Sequence, residues 1–517
     1  MLTQECSVPA GLPKKTESLC PECLAIIPAT IREDNGKVVM EKSCPKHGSF
    51  KDVVWSDADM YRRVEKWAKD GIGVKDPAIP KAKQCPFDCG LCDLHLSHVA
   101  LANVDLTNRC NLKCPICFAN ANSAGYVYEP DYDTLIAMLK MLRAQRPVPT
   151  PAVQFSGGEP TIHPRFFDII KAARDMGFAQ VQAATNGIEF AKDIGFCQKA
   201  QDAGLNTLYL QFDGLRREIY ERARGKDLLD TKLKVIENFR KLPHHPSIVL
   251  VPTIVKGVND DQVWPIMHFG LENIDVVRGI NYQPVAFTGR ITHEELQKGR
   301  YTIPDLIHDV DRQSKGQVAV SDWFPPSTVA AVSELVSAIA GRDMVTFTNH
   351  VHCGMATYMF VKDADNVVPL TRFVDVDSLF EELYGIAKKA RGKRVQLFTK
   401  VKAYNTLKRH LIKDKIPDGM DTVEFLKILQ GVFSEDTKKG LSKFSWKMMY
   451  VGAMHFQDAY NYDIERVKRC NICYTTPDMK IIPFCAYNSG PVYRTEVEKK
   501  FSVPLAEWRK KHGDQYT

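Results

Sequence analysis

The segment Cys110–Cys117 (CNLKCPIC) carries three cysteines in C-x3-C-x2-C spacing. Thiolates at Cys110, Cys114 and Cys117 can bind three irons of a [4Fe–4S] cube, which leaves the fourth iron without a protein ligand. An open iron is a position at which a small molecule can bind. A zinc site or a simple electron-transfer cluster is the alternative interpretation of the same cysteines.

Strand-like segments lie on both sides of these cysteines. Residues 99–107 alternate apolar and polar side chains, which predicts a strand that leads into the cysteine loop. About forty residues later, Gln154–Pro160 (QFSGGEP) ends a β-rich run in Gly157 and Gly158, followed by Glu159. Glycine lets a backbone approach a ligand closely, and a carboxylate can pair with an amino group.

Strand and helix patterns alternate from residue 101 to about residue 289. Such alternation predicts a parallel sheet, whose ligands collect at the C-terminal ends of the strands. Together with the cysteine motif and the Gly-Gly-Glu segment, this order resembles the radical S-adenosylmethionine (SAM) superfamily. The resemblance implies an α/β fold, a partial (β/α)6 barrel.

The same resemblance implies the residues that hold the cofactor. Cys110, Cys114 and Cys117 would bind the cluster, and SAM would occupy the fourth iron. Contacts with SAM are implied for Ile116 against adenine, for Gly157, Gly158 and Glu159 at the methionine amino group, and for Thr185, Asn186, Gln211, Asp213 and Thr253 at later strand ends.

Two similar knuckles lie near the N-terminus, the first at Cys20 and Cys23, the second at Cys44 and His47. An Asp-Asn-Gly turn between them predicts a β-hairpin. Two knuckles on a hairpin make a tetrahedral site for one metal ion. A structural zinc ribbon and a rubredoxin-like iron site both fit this pattern.

Two further cysteine groups predict auxiliary clusters. Cys85, Cys89 and Cys92 repeat the C-x3-C-x2-C spacing without a preceding strand. The pattern does not decide whether the fourth ligand is His95, His98, the substrate or absent. A zinc ion is the alternative to an iron–sulfur cluster at these cysteines. The second group consists of Cys353, Cys470, Cys473 and Cys485. It resembles the SPASM/twitch extensions of the superfamily. We expect its four cysteines to bind one electron-transferring cluster, and a zinc ribbon is the alternative.

Composition is ordinary for a globular protein, with 44% hydrophobic residues, 25% charged residues and a net charge of +7. We find no secretory signal and no run of 18 apolar residues, so we expect no membrane span. Thirteen of the fifteen cysteines fall into metal-binding groups and only Cys6 and Cys197 stand alone, which indicates a reducing, cytoplasmic compartment. The expected divisions are a disordered lead at 1–16, a metal module and linker at 17–80, an auxiliary cluster segment at 81–98, the barrel at 99–300 and an auxiliary-cluster domain at 301–517.

Positive charge is concentrated between residues 388 and 415, which hold eleven basic residues and one acid, Asp414. Apolar residues interleave with them, so the segment predicts one or two basic amphipathic helices. Such helices bind anionic membrane surfaces or polyphosphates, they can bind RNA, and many are solvated helix faces. A Met- and aromatic-rich stretch at 444–460 follows and suits either an irregular apolar ligand or core packing.

The cysteine groups in this order, with LTNRCNLKCPICFANA and SCPKHG, resemble the archaeal tetraether lipid synthase family over essentially the whole chain. That family was formerly regarded as a pterin methyltransferase. The resemblance implies C(sp3)–C(sp3) coupling of the terminal carbons of isoprenoid (phytanyl) chains on archaeal diether phospholipids, with two SAM molecules cleaved per bond. The implied cofactors are SAM, three [4Fe–4S] clusters and one knuckle iron or zinc.

The implied partners are the diether lipid, an anionic membrane surface and an electron donor such as ferredoxin. We expect no nucleic acid partner, and we expect the protein to associate peripherally with the membrane. A SAM-dependent C-methyltransferase acting on a pterin or lipid is the second hypothesis. A non-catalytic iron–sulfur electron carrier is the third.

Overall fold

Six parallel strands form the centre of the protein in this computed structural model, which describes residues 4–119, 121–288, 299–392, 396–417, 420, 425, 447–490 and 493–513. The barrel strands pair in sequence order; they are Leu101–Thr107, Ala152–Gly157, Gln180–Thr185, Thr207–Gln211, Ser247–Val251 and Val277–Pro284. The predicted partial (β/α)6 barrel is confirmed.

Helices follow the barrel strands and cover the outer face of the sheet. In chain order they are Tyr132–Ala144, Phe166–Asp175, Ile188–Lys192, Ile194–Ala203, Arg217–Arg224, Leu229–Arg240, Val263–Glu272 and Ile303–Gln313. Their apolar faces pack on outward-facing strand residues such as Val104 and Val153, which are fully buried. Burial of this size is the main favourable contribution to folding.

The inner face of the same strands is polar. The Gln154 side chain donates a hydrogen bond to Asn103 Oδ1 at 2.6 Å, and Gln182 donates to Gln154 Oε1 at 2.5 Å. Successive side chains of a strand point to opposite faces, so one sheet presents an apolar exterior to the helices and an amide-lined interior.

The C-terminal region continues the barrel sheet at both edges. Lys447–Met454 pairs in parallel with Val277–Pro284, and Ile472–Thr475 pairs in parallel with Leu101–Thr107. Antiparallel partners complete the edges; they are Gly354–Val361, Val367–Pro369 and Ile481–Pro483. The expected domain at 301–517 is thus joined to the barrel through one twelve-stranded sheet, which covers strand edges that would otherwise be open.

An antiparallel four-stranded sheet forms the N-terminal metal module and includes the predicted hairpin. Its strands are Lys14–Leu19, Ile26–Asp34, Lys37–Cys44 and Gly48–Trp55, followed by the helix Ala58–Glu65. The prediction of a disordered lead is wrong for residues 4–16. Gln4–Glu5 pairs with Lys69–Asp70, and Lys14 forms a buried ion pair with Glu65, so this segment is ordered by contacts with residues distant in sequence.

Helices Ala330–Ala340, Val376–Ala390 and Gln396–Arg409 pack together in a second apolar core, so part of the basic segment is helical as predicted. Lys393, Arg394, Phe444 and Trp446 lie outside the described residues. No described helix is both long enough and apolar enough to cross a membrane. The remaining strands and α-helices of the described residues are the strands Tyr126–Tyr128, Thr253–Ile254 and Ser502–Pro504 and the helices Ile464–Lys468, Phe484–Ser489, Tyr493–Lys500 and Leu505–His512.

Candidate active site and metal centres

A cavity of about 280 Å³ opens at the C-terminal ends of the barrel strands. It brings together the three motif cysteines and most of the residues expected to contact SAM. These residues are Cys110, Cys114, Cys117, Ile116, Gly157, Gly158, Glu159, Thr185, Asn186, Gln211 and Thr253.

The cysteine loop is held in shape by Asn122. Its side-chain oxygen accepts a hydrogen bond from Cys110 N at 3.0 Å, and its amide donates to the Cys110 carbonyl at 2.6 Å. Burial raises the pKa of the Cys110 and Cys114 thiols, while the nearby Arg224 charge opposes the rise at Cys114. Bound iron supplies the positive charge that keeps such buried thiols deprotonated, and the three donors fit a cluster with one open iron.

Arg224 is a site residue that the sequence patterns did not reveal. Its guanidinium donates two hydrogen bonds to Asp213, at 2.8 and 2.7 Å, and a third to the Ile116 carbonyl at 3.0 Å. Asp213 is fully buried and also accepts from Thr253 N at 3.2 Å. The prediction that Asp213 contacts SAM is therefore not supported by the geometry: Asp213 lies behind the cavity wall because its carboxylate binds Arg224.

The two glycines allow close contact within the protein itself. A Cβ atom at Gly158 would lie 2.1 Å from the Arg109 carbonyl oxygen, and one at Gly157 would lie 2.2 Å from the Thr107 carbonyl oxygen. Gly158 N donates to the Thr107 carbonyl at 2.7 Å. The glycine segment is thus bonded directly to the start of the cysteine loop, which fixes the position of Glu159 relative to the cluster ligands.

Glu159 is buried at the cavity wall and is rigidly held. Its carboxylate accepts from the Thr161 hydroxyl at 2.6 Å, from the Thr185 hydroxyl at 2.7 Å and from Asn186 N at 2.8 Å. Burial raises the pKa of this carboxyl, and the hydrogen bonds oppose the rise. A bound amino group of SAM would add a favourable charge partner at this position.

Lys232 is a second residue that the sequence patterns did not reveal. It is fully buried on helix Leu229–Arg240, and its ammonium donates to the Asn186 carbonyl and to Gln211 Oε1, the latter at 2.9 Å. Burial lowers the pKa of Lys232 to about 7. Lys232 therefore supports the two strand ends at which Asn186 and Gln211 face the cavity.

The four knuckle residues lie together as one compact donor set, as predicted. Their ligand atoms all lie within 4.8 Å of one another, with Cys20 Sγ 3.5 Å from His47 Nδ1 and Cys23 Sγ 3.9 Å from Cys44 Sγ. A hydrogen bond from the Lys46 backbone is the main cause that lowers the pKa of Cys44 to about 6. Three sulfurs and one nitrogen at these separations fit a single zinc or iron ion, whose sulfur bonds are about 2.3 Å long.

Cys85, Cys89 and Cys92 line a second, smaller cavity, and His95 lines it with them. His95 Nε2 lies 2.9 Å from the Cys470 carbonyl oxygen. His98 does not line this cavity, because its ring faces Thr346, whose backbone N lies 2.8 Å from His98 Nε2.

The third cysteine group surrounds Arg466. Its guanidinium donates to Cys353 Sγ at 3.3 Å, and Gln457 N donates to Cys485 Sγ at 3.4 Å. Burial raises the pKa of Cys485 to about 11 and that of Cys470 to about 12. Cys473 is fully buried on a strand that pairs with the first barrel strand, and only its position near Cys470 connects it with this group.

Comparisons with known proteins agree with the barrel and with the N-terminal metal module. The family model described as the radical SAM superfamily matches residues 104–270, and the one described as the HMPTM N-terminal zinc ribbon domain matches residues 12–56. A Methanocaldococcus jannaschii protein named 7,8-dihydro-6-hydroxymethylpterin dimethyltransferase is 47% identical over 96% of this chain and 97% of its own length.

Other similar proteins match a smaller share of the chain. A probable GTP 3′,8-cyclase of Pyrococcus horikoshii is 28% identical over 33% of this chain and 51% of its own length. Among solved structures, Streptococcus suis SuiB bound to S-adenosylmethionine matches with a TM-score of 0.35 and 16% identity, over 43% of this chain and 48% of that one. The motif, the barrel and the full-length similarity together assign the protein: it is a radical SAM enzyme with an N-terminal zinc ribbon, and it belongs to the family of the Methanocaldococcus jannaschii protein.

Proposed function

We propose that this radical SAM enzyme couples the terminal carbons of isoprenoid chains on archaeal diether phospholipids, giving macrocyclic or tetraether lipids. The observation that carries the proposal is an exposed apolar and basic surface on the helix Gln396–Arg409. Leu397, Phe398 and Val401 are 78%, 69% and 52% exposed there. An enzyme whose substrate is a membrane lipid needs such a surface to reach it.

That helix has two different faces. Ala403 and Leu407 are buried against the second apolar core, which fixes the helix on the protein. The opposite side combines the three exposed apolar residues with the nearby lysines Lys400 and Lys402. Apolar side chains with flanking lysines are typical of helices that lie in the headgroup region of an anionic bilayer. Peripheral membrane association is therefore part of the proposal.

The cavity itself offers an apolar wall to a hydrocarbon chain. Phe118, Val285, Met454, Phe456 and Phe484 line it. The rings of Phe456 and Phe484 stack with centroids 3.9 Å apart, and Phe118 packs on Phe484 at 5.9 Å. Phe118 is 44% exposed, so this apolar wall reaches the surface. A saturated chain can lie along it without leaving a polar group unpaired.

The chemistry of the coupling sets the requirements for cofactor and reductant. When bound, the cluster and SAM supply a 5′-deoxyadenosyl radical, which can remove hydrogen from an unactivated C–H bond. One carbon–carbon bond forms as two C–H bonds break, and each hydrogen ends in a molecule of 5′-deoxyadenosine. Two SAM molecules are thus consumed, two methionines are released, and an electron donor such as a ferredoxin supplies two electrons.

Within this reaction the chain's own residues bind and position. The backbone contacts of Gly157 and Gly158 keep Glu159 beside the cysteine loop, and Arg224 ties the same loop to the fourth barrel strand through Asp213. These groups are preorganised, so binding does not have to order them.

Methylation of a pterin is the second candidate, because the Methanocaldococcus jannaschii relative is named as a pterin dimethyltransferase. The amide ladder of Asn103, Gln154 and Gln182 on the cavity floor could serve a polar ring. The exposed apolar residues of Gln396–Arg409 have no role in that reaction, and for this reason lipid coupling is the function we propose.

The two candidates predict different products. Reduced protein and SAM are incubated with vesicles of archaeal diether phospholipid or with dihydro-hydroxymethylpterin, and products are measured by mass spectrometry. The proposal predicts a lipid that has lost two hydrogens for each new bond, with no transfer of labelled methyl from SAM. A labelled methyl group on the pterin, with unchanged lipid, would replace lipid coupling by methylation.

A further inference from the structure

We propose that His95 is the fourth protein ligand of the auxiliary cluster at Cys85, Cys89 and Cys92, through its Nδ1 atom. The proposal concerns an iron–sulfur site rather than the substrate, so it holds for either candidate reaction. All four side chains line one small cavity, whose other walls include Lys468 and Pro483.

The local backbone places His95 beside the cysteines. His95 N donates to the Cys92 carbonyl at 3.1 Å, so the chain turns back immediately after the last cysteine. Cys92 is itself fixed by a bridge to Ile79. The four donors therefore come from one eleven-residue segment that is anchored on both sides.

The orientation of the imidazole follows from its second nitrogen. His95 Nε2 lies 2.9 Å from the Cys470 carbonyl oxygen, and a carbonyl can only accept, so Nε2 carries the proton. The ring is almost completely buried, and Nδ1 is the ring nitrogen that the carbonyl contact leaves available for a ligand bond. A ligating histidine ordinarily donates its other N–H to a backbone carbonyl or carboxylate in this way.

The four donors are not as close together as those of a single-ion site. In the described part of the chain, the knuckle residues Cys20, Cys23, Cys44 and His47 are the one group of three or more such side chains within 4.8 Å of one another. A tetrahedral zinc site needs that closeness. In a four-iron cube each donor binds a different iron, so its donors lie further apart.

Two rival ligands fit less well. His98 Nε2 accepts from Thr346 N at 2.8 Å, and His98 does not line the cavity. Cys473 pairs across its strand with Pro483 and lies near the cavity, but it does not line it. On its other side, Cys473 pairs with Ala102 of the first barrel strand.

A histidine ligand changes the electronic character of this cluster. Neutral imidazole in place of thiolate removes one negative charge, which raises the reduction potential, as it does where histidine replaces cysteine in other clusters. We therefore expect this cluster to be reduced before the Cys353, Cys470, Cys473 and Cys485 cluster during a titration.

The test uses the full-length protein grown with ¹⁵N-histidine, reduced and frozen, and measured by pulsed electron paramagnetic resonance. The expected result is a ¹⁵N coupling in a cubane signal. The knuckle His47 binds a single ion, which does not contribute to that signal. Absence of a ¹⁵N coupling in the reduced wild-type cubane signals would overturn the proposal. This measurement requires only the wild-type protein.

Variants then locate the nitrogen. His95→Cys should remove the coupling and retain about four irons per cluster, because cysteine can replace the ligand. His98→Ala is the matched control and should keep both the coupling and the iron. A coupling that survives His95→Cys, or that His98→Ala removes, would contradict the assignment. Loss of this cluster in Cys473→Ala with full iron in His95→Ala would assign Cys473 instead.

Discussion

Arg224 joins the cysteine loop to the fourth barrel strand, because its guanidinium binds both Asp213 oxygens, at 2.7 and 2.8 Å, and also the Ile116 carbonyl. Ile116 lies between two of the cluster cysteines. The ion pair is almost completely buried, so removing either charge would leave the other buried without a partner. The position of the cluster loop is thus coupled to a buried ion pair in which Arg224 reaches the cavity wall and Asp213 lies behind it.

Replacing Arg224 with Met should destabilise the protein by about 3–5 kcal/mol, because it leaves the Asp213 carboxylate buried without a partner. It should also lower the iron content of the SAM cluster, because Ile116 loses its anchor. Thermal unfolding and iron analysis measure the two effects. Arg222→Met, on the exposed side of the same helix, is the control. Equal stability and iron content in both variants would disprove the coupling.

Gly158→Ala should weaken SAM binding strongly, because its Cβ would lie 2.1 Å from the Arg109 carbonyl oxygen and must move one of the two segments. The matched control is Gly385→Ala, in the helix Val376–Ala390. A Cβ there meets no atom within 4 Å, and alanine should stabilise the helix by up to about 1 kcal/mol. Equilibrium binding of SAM to each protein with its clusters oxidised, a state in which SAM is not cleaved, is the measurement. Equal affinity in Gly158→Ala and wild type would contradict the role of this contact.

Lys232 predicts a pH dependence of stability. Its pKa in the folded protein is about 7, below the value near 10.4 of an unfolded chain, so between these values the unfolded state binds more protons. Stability from this residue therefore rises with pH over that window, by up to about 1.4 kcal/mol per unit. Below pH 7 the lysine is charged in both the folded and the unfolded state. Its burial then lowers the stability of the folded protein by an amount that does not change with pH.

The measurement compares wild type with Lys232→Met from pH 6 to pH 9.5 by thermal unfolding. The stability of wild type relative to Lys232→Met should increase with pH above about 7. A difference that stays flat, or that falls with pH, would contradict the burial argument.

The exposed surface of Gln396–Arg409 predicts membrane binding. Replacing Leu397 and Phe398 with Asp should reduce binding to anionic vesicles, because it removes apolar contact and adds repulsive charge. Neutralising Lys400 and Lys402 should cost about 1 kcal/mol each, with the loss shrinking as salt is added. Leu233→Asp, at a 39% exposed leucine on a barrel helix, is the control. If wild type does not bind vesicles, or all variants bind alike, this helix face is an ordinary solvated surface.

The parts of the site that the sequence predicted are those encoded in short segments. Cysteine spacing and the Gly-Gly-Glu segment are local patterns, so Cys110, Cys114, Cys117 and Glu159 were identified from them. Arg224 and Lys232 act through tertiary contacts with other segments, and local motifs carry no record of such contacts. Lys232 does leave one signal, because it shares an apolar helix stripe with Val235, Ile236 and Phe239.

The same contrast between local patterns and long-range contacts applies to the fold. The βα alternation between residues 101 and 289 predicted the barrel, because each unit is completed by neighbours in sequence. The strand Lys447–Met454 pairs with Val277–Pro284 far earlier in the chain, and sequence periodicity cannot reveal such a partner. The ordered lead depends in the same way on Glu65 and Asp70, to which Lys14 and Ser7 bind.

The most direct test of the proposed function follows hydrogen from the lipid to the cofactor. Diether phospholipid deuterated at the terminal methyl groups of its isoprenoid chains is given to the reduced protein with SAM. We predict one deuterium in each 5′-deoxyadenosine and two 5′-deoxyadenosines for each new carbon–carbon bond. Deuterium-free 5′-deoxyadenosine together with unchanged lipid would contradict the account.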